Sequence, residues 1–67
     1  MAAAYTQEFL VNVFLHRYRN LDKDKVDSLR NLANKFFLES GRDKFRVYAC
    51  VTPEAVRNYV LFCRENP

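Results

Sequence analysis

One glycine, two prolines, two cysteines and one histidine stand among the 67 residues of this chain, and each scarcity excludes something. A single glycine cannot build a Gly-rich phosphate-binding loop. With two prolines it cannot supply the turns that a series of short strands needs, which argues against an all-β chain. The two cysteines, Cys50 and Cys63, are too few for the disulfide scaffold of a small secreted domain. They form no CxxC, and one histidine cannot complete a Cys2His2 zinc site with them. No apolar run approaches the ~18 residues of a membrane-spanning helix. The opening MAAAYTQEF lacks both the basic and the apolar regions of a secretory signal. Ala2 stands where N-myristoylation requires glycine. These absences predict an intracellular protein, of cytoplasm or nucleus, with reduced thiols and no metal or cofactor.

What is present points to a folded domain. The chain is 49% hydrophobic and 15% aromatic, too rich in both for a disordered tail. Its length allows one domain, residues 1–67, and a domain of this size buries only about 60% of its unfolded surface. Very well packed helices or self-association must make up the difference. Glu65-Asn66-Pro67 reads as the start of a linker, so the expectation is the N-terminal domain of a longer protein. The net charge of +3 comes from eleven Lys and Arg against eight Asp and Glu. They are interspersed rather than gathered into the like-charge blocks of a nucleic-acid arm.

Apolar spacing predicts an all-α bundle of three or four short helices. Thr6 caps a first helix over about residues 6–19. On a helical wheel its Phe9, Leu10, Val11, Val13, Phe14, Leu15 and Tyr18 fill an arc of roughly 240°, against the ~100° stripe of an ordinary surface helix. That helix is therefore either central or carries a second apolar face. Asn20-Leu21-Asp22 reads as a turn and cap before a helix over about 22–39, with Val26, Leu29, Leu32, Ala33, Phe36 and Phe37 on an arc of about 140°. Leu38 lies opposite them. Ser40-Gly41 stops the helix, with glycine in the left-handed position. Thr52-Pro53-Glu54 is a strong start for a helix over about 53–65, combining a cap, proline in the first turn and an acid at the positive dipole end. Its Ala55, Val56, Tyr59, Val60, Phe62 and Cys63 share about 160°, and Leu61 stands apart. Residues 43–51 fit two descriptions. Phe45, Val47, Ala49 and Val51 alternate as in a strand, but no second strand is available to pair with it. As a helix capped by Asp43, the segment turns Phe45, Tyr48 and Ala49 inward.

This pattern carries little catalytic chemistry. His16 with Cys50 or Cys63 would need to meet as base and nucleophile, yet His16 falls on a polar strip and Cys63 on a core stripe, where thiols are inert. The acids crowd helix N-termini, where the dipole accounts for them. No enzyme is expected. Phe36 and Val60 are placed in the core, and Phe36→Ala is expected to cost about 3–5 kcal/mol.

The apolar surplus is the most informative feature. Stripes this wide exceed what a three-helix core closes over, leaving Val11, Leu15, Tyr18, Leu38 and Leu61 as candidate partner-binding residues. Val11 and Leu15, one turn apart, have the spacing of a docking helix, unless the 43–51 segment covers them. The expected function is a non-catalytic protein-interaction module that takes a partner peptide or helix, or a second copy of itself. The alternative is a basic helical module for RNA or DNA, using Arg42, Lys44, Arg46, Arg57 and Arg64 with interleaved aromatics.

Overall fold

The computed structural model describes residues 5–67. The first four residues, on which the reading of Ala2 rests, lie outside the described residues. Four helices follow one another: α1 Gln7–His16, α2 Lys23–Ser40, α3 Arg42–Tyr48 and α4 Pro53–Glu65. The fold is the expected small all-α bundle, and the ambiguous segment is helical.

The helix boundaries follow from local chemistry. Thr6 is extended and its hydroxyl accepts the Phe9 N–H at 3.0 Å. Thr52 does the same for Ala55 at 3.1 Å, with Pro53 in the first turn. Each cap satisfies one of the donors that a helix start leaves open. Helix α1 stops three residues short of the expected end. Tyr18 N–H bonds Leu15 O at 2.9 Å and Leu21 N–H bonds Tyr18 O at 3.0 Å, so the chain tightens into successive turns over 17–20. Gly41 ends α2, its N–H on Phe37 O at 2.8 Å, and begins α3. Its φ of 90° and ψ of 170° lie where essentially only glycine is found. Space around a Cβ there is open, so the backbone angle alone demands the residue. Asp43, expected to cap this helix, lies inside its first turn instead.

The end of α3 is a Schellman motif without glycine. Val51 N–H bonds Arg46 O at 2.9 Å and Cys50 N–H bonds Val47 O at 3.2 Å, the pair of reversed bonds that closes such an end. Cys50 takes the left-handed position, φ 54°. Val51 is buried in the same cluster as Phe45, which supplies the apolar contact that accompanies the motif. Arg17 Nη2 donates to Cys50 O at 2.9 Å, tying the end of α1 to the α3–α4 connection.

Helix α1 is central. It packs against α2 and α4, and α2 in turn packs against α3. Side-chain bonds fix the α1–α2 pairing: Gln7 Nε2 to Asn34 Oδ1 at 3.1 Å and Arg30 Nη1 to Asn12 Oδ1 at 2.8 Å. The core comprises Leu10, Val11, Val13 and Leu15 from α1, Ala33 from α2, Phe45, Ala49 and Val51 around α3, and Val56 from α4.

Several expectations change here. Val11 and Leu15 are 1% and 4% exposed, so they belong to the core and form no exposed docking face. Val11 lies beside Arg30 and Asn34 of α2, and Leu15 faces Val26 of α2 and Tyr59 of α4. Helices α2 and α4 therefore cover Val11 and Leu15, while the 43–51 segment covers another part of the stripe, Phe14, through Phe45. Phe36 is 37% exposed. The ring that fills the α2–α3 interface is Phe45, 5.2 Å from Phe37 and 6.2 Å from Phe14. Tyr48 does not turn inward and stands exposed. Cys63 is exposed too and Val60 only half-buried, because α4 has α1 as its packing neighbour and its stripe is covered from one side.

Two stability predictions follow from this packing. Phe45→Ala should cost about 3–5 kcal/mol, and Phe36→Ala well below that, both read from denaturant midpoints. Equal losses would contradict the placement of the two rings. Cys50→Gly should stabilise by roughly 0.5–1 kcal/mol, because glycine avoids the left-handed strain while giving back part of the gain in unfolded-state entropy. A lower midpoint in that variant would show that Cys50 is not strained.

Candidate functional site

Helix α2 has 18 residues and α3 has seven. At 1.5 Å per residue they span about 27 Å and about 10 Å. The shorter helix covers one end of its neighbour and leaves the rest of that face open. Leu32 and Tyr48 are the most exposed residues of the resulting surface, at 63% and 70%.

Between α2 and α3 lies a groove of about 310 Å³, lined by Phe14, Leu29, Leu32, Ala33, Phe36, Phe45, Tyr48 and Ala49. Every lining residue is aliphatic or aromatic. The Phe36 and Tyr48 rings meet edge-on, centroids 5.8 Å apart, and the Phe36 and Phe45 rings are 6.2 Å apart. Leu29 and Leu32 also border a second depression, which continues along α2 past Leu21, Asp24, Lys25 and Ser28. The apolar surface of α2 thus runs from Leu29 to Phe36, and beyond Leu29 it gives way to a depression lined by Leu21, Asp24, Lys25 and Ser28. Exposed apolar surface of this continuity is the usual mark of a docking site.

The expected site residues do not come together. Val11 and Leu15 belong to the core. Tyr18 is half-buried against Phe14, ring centroids 5.4 Å apart. Leu38 and Leu61 are exposed as expected, but they stand on α2 and α4, outside the groove. The basic residues divide likewise. Arg42 and Lys44 are exposed on α3, Arg57 and Arg64 on α4. Arg46 is half-buried, its guanidinium 5.7 Å from the Tyr5 ring centre.

A different cluster forms where α1, α2 and α4 meet. A depression of about 350 Å³ is lined by Asn12, Leu15, His16, Arg19, Val26, Arg30, Tyr59, Phe62 and Cys63. His16 and Cys63, assigned to separate faces by the sequence, share this depression. The imidazole packs on aromatic rings, 5.8 Å from Tyr59 and 4.9 Å from Phe62, and no hydrogen bond joins it to the thiol among the described residues. Desolvation, and then repulsion from Arg19, hold the His16 pKa below its ordinary 6.5. Burial, followed by the hydrogen bond with Cys63, raises that of Tyr59. No group of three His, Cys, Asp or Glu side chains able to hold a metal ion occurs among the described residues. No helix among them is long and apolar enough to cross a membrane.

His16 generates a pH prediction. Its folded pKa lies below the unfolded value of 6.5, so as pH falls through 6.5 the unfolded chain takes up the proton first. Stability should therefore decline from pH 6.5 down to the lowered folded pKa. His16→Gln should lack that component of the decline, measured by denaturant unfolding between about pH 7.5 and 5. Superimposable pH profiles would refute it. No family model matches the chain, no curated protein sequence matches it, and no solved structure matches its fold.

Proposed function

We propose that this domain is a non-catalytic protein-interaction module whose α2–α3 groove receives apolar side chains from a helix or peptide of a partner protein. The supporting observation is the groove itself: a lining without a charged residue, floored by the buried Phe45 and flanked by the exposed Leu32 and Tyr48. A rigid floor with protruding apolar walls suits the insertion of anchors spaced one helical turn apart. Burial of such anchors returns about 25 cal/mol per Å² of apolar surface, and a few of them dominate most interfaces. The two unbridged thiols fit a reducing compartment, cytoplasm or nucleus.

Leu32→Glu and Tyr48→Ser alter exposed positions, so circular dichroism should show an unchanged fold. A photo-crosslinker at position 48 should yield partner adducts that Leu32→Glu abolishes, while one at position 61 yields none. A second copy as occupant would appear in sedimentation as a concentration-dependent dimer, also lost in Leu32→Glu. Binding that ignores both groove variants, falls steeply with salt and depends on Arg42 and Lys44 would overturn the reading in favour of nucleic acid.

A further inference from the structure

The depression at the meeting of α1, α2 and α4 has a composition unlike the rest of the surface. Two arginines and a histidine line it, and no Asp or Glu is among its lining residues. The chain carries eight acids in all, so their absence here leaves the positive charge uncompensated within the depression. Both guanidiniums are held in place from the side. Arg19 donates from Nη1 to His16 O at 2.8 Å and lies over the Phe62 ring, 5.2 Å from its centre. Arg30 donates from Nη1 to Asn12 Oδ1 at 2.8 Å. A guanidinium has five N–H donors, so each of these bonds leaves most of the fork for a ligand.

Positioned guanidiniums recognise oxyanions, since their planar forks match carboxylate and phosphate oxygens. Two of them together match a doubly charged group better than a single charge, and a phosphate monoester carries about −1.5 to −2 at neutral pH. The remaining wall is aromatic: Tyr59 and Phe62, with the His16 ring packed on both. Such a wall accommodates a flat organic body attached to the anion. We propose that this depression binds a phosphate monoester carried on an aromatic group, with Arg19 and Arg30 on the phosphate and Phe62 and Tyr59 against its carrier. The site is separate from the α2–α3 groove and stands or falls independently of it.

The imidazole of His16 reports occupancy from inside the site. The titratable and charged groups around it are Arg19 from the turn after α1, Arg30 from α2, and Tyr59 and Cys63 from α4. An anion between the arginines offsets the repulsion from Arg19 and favours the imidazolium.

The experiment is a titration of the intact chain with phenyl phosphate, followed by the ring resonances of His16 in NMR spectra. The expected result is a saturable shift and a rise in the His16 titration midpoint. Arg19→Gln, at an exposed position, should weaken binding about tenfold or more, and inorganic phosphate should bind more weakly than phenyl phosphate. Arg30→Lys, which keeps the charge and loses the fork, should also weaken it. Should Arg30→Lys fail to fold, Arg19→Gln decides alone. A short phosphotyrosine peptide that binds tighter than phenyl phosphate would assign the source to a modified protein; equal affinity would assign it to a small molecule. No saturable shift, an unchanged affinity in Arg19→Gln, or equal binding of singly charged dimethyl phosphate would overturn the proposal.

Discussion

The structure depends on covering one short helix on two sides. Leu10, Val11, Val13 and Leu15 are all buried within the ten residues of α1, and they point across too wide an arc for a single neighbour. Helices α2 and α4 close on its flanks, and α3 packs on α2 with Phe45 reaching Phe14 of α1. The chain meets this demand at the cost of a closed bundle. The helices pack mainly in the order α3 on α2, α2 on α1 and α1 on α4, with Phe45 of α3 also reaching Phe14 of α1, and their Cα atoms extend over 29 × 27 × 16 Å.

The core is small: only nine of the described residues are buried, and none of them is polar. The polar bonds that fix the arrangement sit at its margins: Gln7 to Asn34, Arg30 to Asn12, and Arg17 to Cys50 O. Both depressions descend from this layout. The groove exists because α3 is too short to cover α2, and the arginine-lined hollow because α2 and α4 flank the same helix and leave a gap at its end.

Much of the fold could be read from the sequence, because its signals are local. Thr6, Gly41 and the Thr52-Pro53 pair each act on backbone groups within one turn, and each stands where the structure has a boundary. The wide stripe of α1 was equally plain, but its meaning depended on neighbours. Periodicity shows which residues share a face and is silent about what covers that face. Val11 and Leu15 thus read as surplus though α2 and α4 bury them, while Leu32 and Phe36 read as core though α3 covers Phe36 only in part and leaves Leu32 largely exposed. The signal for the groove was the disparity between an 18-residue helix and the short segment after Gly41. The approach of His16 to Cys63 and Arg30 brings together three helices, and nothing in the spacing along the chain encodes it.

The pattern of helix contacts also governs how the domain comes apart. In a closed bundle every helix is held by two others, and the loss of one exposes the whole core. Here α4 has one main neighbour, keeps Val56 as its single buried residue and is exposed from Leu61 onward. Its far turns can detach while α1, α2 and α3 keep Phe45 and its aromatic neighbours covered. Backbone amides in the last turns of α4 should exchange with solvent through such partial openings, well below the free energy of global unfolding, while those of α1 exchange only when the whole domain opens. The arginine-lined hollow has one wall on this looser helix and the apolar groove has none, so the two surfaces sit on parts of the molecule with different lifetimes.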